Sequence, residues 1–594
     1  MDPQTLLLQV VAEKTGYPVE MLEPDMELEA GLGIDSIKRV EILAAVQDKL
    51  PGLPELDPQE IATIKTLGEI AEHMASYLNG GKPQPKKQET THNTDIPVTE
   101  TPTHTASTNA PDLTRFEVGI APATDSSPCD LDNFKKVVLI PDDNGISDAL
   151  KTILEREGFS VTITQLPSPD TDIVIFLSGL NDSVEPAQTL AIHESAFLAA
   201  HQVASRFIQS GGMFITVQDT GGRYFLDDHP SDSNRAWISG LPGLVKTAAL
   251  EWPKALLKSI DLEKGDRPPE TLAQVIFDEL QRDGSISEVG LSAKGERVTP
   301  IIQAVSQPEP ETLPIQSGDV VVVSGGARGV TPATLVPLAQ STQCRFVLLG
   351  RTPLVEEPER FADAKDDAAL KALLLQEIKT RGLAITPMEL NAKTRGILAT
   401  REILQTLKNL EEAGSEVRYH AVDVRDTRAL NTILEPIRHD WGPIRGVIHA
   451  AGVLADKAIA DKTSQQFREV FETKVAGLDA LLTATCDDPL KLLVFFSSIA
   501  ARKGNQGQCD YAMANELLNK VAQVEARARG PECRVLSLNW GPWDGGMVTP
   551  ALKAHFEKSG VSLIPLQAGG EFMTRELAGT SRSVELVIAG PENI

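Results

Sequence analysis

The stretch "DVVVVSGGARGVT", residues 319–331, decides how the second half of this chain folds. Its run of valines has the length and β-branched character of a buried strand. Ser324-Gly325-Gly326 ends the run in a tight turn, and Thr331 begins a helical pattern. Strand, glycine turn and helix in that order open a βαβ unit, where backbone N–H groups at the helix start can approach a pyrophosphate. A glycine-rich turn alone is weak evidence, and its position after a first strand strengthens it.

Further apolar runs follow: RFVLLGR (345–351), EVRYHAVDV (416–424), RGVIHAAG (445–452), LKLLVFFSS (490–498), CRVLSLNWG (533–541) and SVELVIAG (583–590). With the first they supply the strands of one doubly wound parallel sheet covered by helices. The second run ends in Gly350-Arg351. An acidic residue there would bind the ribose of NAD and repel a 2′-phosphate, so Arg351, with Arg328 as helper, favours NADP(H). Residues 352–415 are far longer than one crossover helix and read as an inserted helical element in two pieces, DDAALKALLLQEIKTRG and TREILQTLKNLEEAG.

The pattern occurs earlier as well. KKVVLIPD (135–142), FSVTIT (159–164), DIVIFLSG (172–179), GGMFITVQD (211–219) and LKSIDL (257–262) are the strands of a first α/β set. Its opening strand ends in Pro141-Asp142-Asp143-Asn144-Gly145, with two carboxylates where a phosphate would lie. This half has the fold without the site, which assigns it a structural role.

Ahead of both halves, thirteen of the thirty residues 82–111 are Thr or Pro and only four are apolar, too few for a core. That composition marks a linker, extended here to about residue 130, and some fifty flexible residues span on the order of 40 Å. Residues 1–80 precede it with 15 Asp or Glu against 5 Lys or Arg, a net of -10 out of -27 for the whole chain. Such a balance fits a small mobile domain that visits basic patches, and the overall charge argues against a nucleic-acid partner. Ser36, in "EAGLGIDSIKRVEIL" (29–43), sits at the start of an amphipathic helix, where a hydroxyl serves as a cap. The five cysteines are scattered without a CxxC pair, which fits a reducing cytoplasm and offers no metal site. No apolar run approaches the roughly 18 residues of a membrane span, and the first residues lack a signal peptide. The expected domains are therefore 1–80, a linker over 81–130, a noncatalytic half over 131–315 and a site-bearing half over 316–594.

The strongest chemical signal is VFFSSIAARKGNQGQCDYAMANELLNK, residues 494–520. Ser498 ends a strand, Tyr511 opens a helix, and Asn515 lies one turn further on the same face. This resembles the short-chain dehydrogenase/reductase superfamily, with Asn515 where that family usually has Lys, and with Lys474 in FETKVAG on the preceding helix. The exchange, together with HAAGV (449–453) and NWGPWDGGM (539–547), is similar to the ketoreductase domains of modular polyketide and fatty acid synthases. Those domains also have a noncatalytic Rossmann-like half before the catalytic one, whose helix SGLPGLVKTAALEWP (239–253) resembles. SGGARGVT, GIDSIKRVEIL and the insertion resemble bacterial polyunsaturated fatty acid synthases, although Thr331 replaces the last glycine of the usual turn.

The resemblance implies Tyr511 as the acid for a developing alkoxide, Lys474 as a cation that makes the phenol a better acid, Ser498 on the substrate oxygen, and Asn515 orienting Lys474 or a water. It implies NADPH held by Ser324, Gly325, Gly326, Arg328, Gly329, Val330, Arg351, Asp423, Val424, Ala450, Ala451 and Gly452. Residues 1–80 resemble an acyl carrier protein of four helices, with 4′-phosphopantetheine on Ser36. The implied partners are a β-ketoacyl thioester, a phosphopantetheinyl transferase, and ketosynthase, acyltransferase and dehydratase domains. Leu454-Ala455-Asp456 resembles the mark of B-type ketoreductases, which make a 3R alcohol, whereas Gln506 stands where those domains often have Pro. The alternative is a noncatalytic carrier and docking module, against which the complete Lys474, Ser498, Tyr511 and Asn515 set argues.

Overall fold

The computed structural model describes residues 3–28, 31–34, 36–50, 66–78 and 113–594, apart from 125–126, 130, 183–185, 228–231, 283, 547 and 549. The Thr/Pro-rich linker over 82–111, Asp35 and residues 51–65 lie outside the described residues. The chain divides into two compact units: residues 1–111, 352–405 and 547–560 form one, and 112–351, 406–546 and 561–594 the other.

The first unit is helical. Pro3–Thr15, Ser36–Lys49 and Leu67–Leu78 come from the N-terminal region, and Asp367–Thr380 with most of Pro387–Glu412 from the insertion. Leu7, Val10, Ile42, Val46 and Met74 are buried at helical spacing, which is why these short helices hold together. Ser36 opens its helix as expected. The insertion is two helices, but the second begins at Pro387 and runs through Gly396.

The second unit is built on one sheet of fifteen strands. In chain order these are β1 (Thr114–Pro122), β2 (Lys136–Ile140), β3 (Ser160–Ile163), β4 (Ile173–Gly179), β5 (Met213–Gln218), β6 (Leu256–Leu262), β7 (Glu288–Leu291) and β8 (Arg297–Val305). The later set is β9 (Val320–Ser324), β10 (Arg345–Gly350), β11 (Val417–Ala421), β12 (Ile444–His449), β13 (Leu492–Ser498), β14 (Arg534–Trp540) and β15 (Glu585–Ala589). Across the sheet they run β11-β10-β9-β12-β13-β14-β15-β1-β8-β7-β6-β5-β4-β2-β3. The order reverses between β9 and β12, which are parallel neighbours. In an open α/β sheet the carboxyl end of such a reversal is where a ligand binds.

Two sequence expectations change here. The linker stops before residue 114, because TRFEVGIAP forms β1, antiparallel to β8 on one side and β15 on the other. It carries buried Phe116, and buried Arg115 meets Glu576 at 2.8 Å. The two α/β halves are thus one continuous sheet, closed at its middle by antiparallel strands.

The halves also share a core. Phe197 of the first stacks on Phe467 of the second with ring centroids 4.8 Å apart. The helix Leu241–Glu251 crosses Cys509–Arg529 so closely that a Cβ on Gly243 would lie 2.6 Å from Ala512 C. Beneath that crossing Lys246 reaches Glu288 at 2.9 Å and Glu516 at 3.4 Å, and Lys520 reaches Glu585 at 2.8 Å. These buried charges are mutually paired, the condition under which burial is tolerable. No helix among the described residues is long and apolar enough to cross a membrane.

Candidate active site

The glycine turn lies at the end of β9, on the reversal. Gly325 has φ +69°, and a Cβ there would sit 2.9 Å from Ala450 O and Ala451 Cα, so the turn backs directly onto the segment after β12. Gly329, at φ +71°, has nothing within 4 Å of its Cβ position and faces open space. Glycine backbone without side chains beside the N-terminus of Thr331–Thr342 is the setting in which a pyrophosphate binds. Arg328 and Arg351 are exposed at this edge. Asp423, after β11, is held below the usual carboxylate range first by the Arg425 guanidinium, 2.6 Å away, with a smaller pull from Arg351. Val424 is buried beneath it.

The first half's equivalent turn is filled by protein. Asp142 accepts hydrogen bonds from Asn144 N at 2.7 Å, Ile146 N at 3.1 Å and Ser147 N at 2.7 Å. A side-chain carboxylate has taken the helix-terminal amides that a phosphate would need.

Beside the glycine turn after β9 stand the residues singled out in the sequence. Ser498 ends β13 and accepts from Ala500 N at 3.2 Å, capping a short helix over Ile499–Lys503. Tyr511 lies in the first turn of Cys509–Arg529. Burial raises its phenol above the ordinary 10.0, while side-chain hydrogen bonding with Asn515 and Ser498 pulls the other way. Asn515 Nδ2 donates to Tyr511 O at 2.8 Å, and its buried Oδ1 has no partner among the described residues, an acceptor held at the centre of the group.

Lys474, on Ser464–Ala484, is 2 % exposed. Its Nζ lies 5.4 Å from the Tyr511 ring centroid and donates to Phe496 O at 2.8 Å. Burial draws Lys474 itself down to about 7. Gly452 leaves room for the lysine stem, since a Cβ there would meet Lys474 Cε at 3.2 Å.

Two supports escaped sequence reading. His449 Nε2 lies 2.9 Å from Lys474 O and Nδ1 lies 2.7 Å from Ser324 Oγ. A carbonyl only accepts, so Nε2 carries the proton and Nδ1 accepts from the serine. Burial holds this imidazole neutral, down at about 3. It ties the start of the glycine turn to the lysine helix. The second is Lys462, which donates to Asp510 Oδ2 at 2.6 Å and to Ala455 O at 2.7 Å, fastening the 454–456 loop to the residue before Tyr511. Asp456 in that loop accepts from Gln508 Nε2 at 2.9 Å.

Two family models match: "KR domain" over residues 319–545 and "Phosphopantetheine attachment site" over 5–74. This chain carries a carrier region and a KR domain. Over 98 % of its length it is 32 % identical to a polyunsaturated fatty acid synthase polypeptide of Thraustochytrium sp. (strain ATCC 26185 / S-3), of which it covers 22 %. It is 27 % identical over 62 % of its length to the polyketide synthase PksL of Bacillus subtilis (strain 168), covering 7 % of that protein. The chain thus spans less than a quarter of these relatives. The fold matches a crystal structure of a ketoreductase domain from the bacillaene assembly line, at TM-score 0.59 and 19 % identity, over 80 % of this chain and 97 % of that one. The KR domain model begins at Asp319, one residue before β9, so the half with the open turn is the half it covers.

Proposed function

We propose that this chain reduces a β-ketoacyl group, held as a thioester on 4′-phosphopantetheine at Ser36, to the (3R)-hydroxyacyl thioester with NADPH, within a polyunsaturated fatty acid or polyketide synthase. The observation that carries the reading is the convergence of Ser498, Tyr511, Lys474 and Asn515 beside an open glycine turn. NADPH would lie along Ser324–Val330 with its 2′-phosphate toward Arg328 and Arg351, and when bound it supplies the hydride for the ketone carbon.

Everything else falls to the protein. Ser498 Oγ and Tyr511 Oη donate to the ketone oxygen, where negative charge grows as the carbon is reduced. Tyr511 then gives up its proton to that oxygen. Its raised pKa keeps the phenol protonated until the alkoxide, a far stronger base, forms. Lys474 supplies positive charge near the phenolate, and Asn515 Oδ1 is placed to accept from the ammonium or a water that returns the proton. His449 and Lys462 position the turn, the lysine helix and the 454–456 loop. Leu454 and Asp456 in that loop support the 3R assignment.

The test is oxidation of NADPH by a short β-ketoacyl thioester, wild type beside Tyr511→Phe, with NADH as comparison and chiral analysis of the alcohol. The expected result is loss of at least about a hundredfold in the variant, a preference for NADPH and a 3R product. Turnover unchanged in Tyr511→Phe overturns the proton assignment.

A further inference from the structure

The insertion has no role in the chemistry above, yet its inner face is not a free surface. Phe361, Leu370, Leu374 and Leu390 belong to the same buried cluster as Leu7 and Val10 of the carrier region. A helix pair bearing those side chains alone would expose them to water.

The polar contacts are as specific as the apolar ones. Lys371, 3 % exposed, donates from Nζ to Thr15 O at 2.7 Å, stands 4.4 Å from the Tyr17 ring centroid and pairs with Asp367 at 2.7 Å. An ammonium is buried at bearable cost only when such partners surround it, and here two of the three come from the carrier. Tyr17 Oη is shared between Leu32 O at 3.1 Å and Pro387 O at 3.2 Å, one acceptor on each side. Arg395 donates to Gly33 O at 3.3 Å, three residues before Ser36.

Two glycines let the surfaces close. A Cβ on Gly16, at φ +73°, would lie 2.7 Å from Ala368 Cα, and one on Gly33, at φ +65°, would lie 2.6 Å from Asn391 Nδ2. The geometry points to a dock: the 352–405 insertion is a built-in seat for the chain's own carrier region, gripping it through Gly16, Tyr17 and the turn that leads to Ser36. The seat stands on contacts within one compact unit and is independent of whether Tyr511 does chemistry.

The test uses the full chain with a protease site placed in the Thr/Pro-rich segment near residue 95. After cleavage at micromolar concentration, size-exclusion chromatography asks whether the N-terminal fragment stays with the body. In the wild type it is expected to be retained in a 1:1 complex. Gly16→Val on the carrier and Lys371→Glu on the insertion are each expected to weaken retention at least about tenfold. Hydrogen exchange on the uncleaved variants, with Leu67–Leu78 still protected, separates loss of docking from loss of carrier folding. Release of the wild-type fragment, equal retention in both variants, or retention only in a dimer overturns the in-cis seat.

Discussion

Lys474 occupies a place where its charge is unwelcome, and that gives a signature independent of turnover. The unfolded chain keeps this lysine protonated up to its ordinary 10.5, whereas burial brings the folded-state value down to about 7. Between those values the unfolded state binds more protons, so folding becomes more favourable as pH rises. Below pH 7 both states are charged and the cost of burying the ammonium is at its fullest. Lys474→Met is therefore expected to be more stable than wild type near pH 6, by at most about 5 kcal/mol, with the gap shrinking toward pH 10. Denaturant midpoints across that range check it, and subtracting the two curves cancels buried Lys246 and Lys520, which both share. The grouping of Ser498, Tyr511, Asn515 and Lys474 was suggested by their spacing together with the family resemblance, and the fold brings Lys474 and Asn515 to Tyr511. Their supports were not legible, because His449 finds Ser324 across 125 positions and Lys462 finds Asp510 across 48, separations at which sequence carries no pattern.

Among the elements, the β-branched strands ending in glycine or a small polar residue read clearly, and all seven of the site-bearing half lie where their apolar runs are. β1 did not read: only Phe116 and Arg115 of its central residues are buried, and its partners in β8 and β15 are far along the chain. The second insertion helix began earlier than its pattern suggested, because Gly396 lowers local propensity while burial of Leu390 and Ile397 overrides it. The crossing of Leu241–Glu251 on Cys509–Arg529 carries a prediction of its own. A side chain at Gly243 must push backbone at Ala512 and Met513, directly after Tyr511. Gly243→Val is expected to cost about 1–3 kcal/mol of stability and to reduce turnover with KM little changed, since the phenol moves while the cofactor turn does not. Denaturation midpoints and steady-state kinetics read the two effects separately.

At the scale of the whole molecule, the first half of the sheet does by packing what its lost phosphate site no longer does by binding. Asp142 fills its turn, the Phe197–Phe467 stack packs against Ser464–Ala484, and the Lys246–Glu516 pair packs against Cys509–Arg529. That the halves form one sheet was not readable, because the strand that joins them lay in the segment read as linker, far along the chain from its partners β8 and β15.

The joining strand also decides how the sheet carries mechanical load. β1 and β15 are antiparallel neighbours with Thr114 opposite Ala589, so the polypeptide enters and leaves on the same side of that pair. Tension applied at residues 113 and 594 peels the ladder open one rung at a time instead of shearing all its rungs together. Optical-trap pulling between those points is expected to open the sheet at its middle at low force, and attachment at opposite ends of the pair to require markedly more. This seam is where the sheet would yield first under load, and where it could close again without unfolding either half.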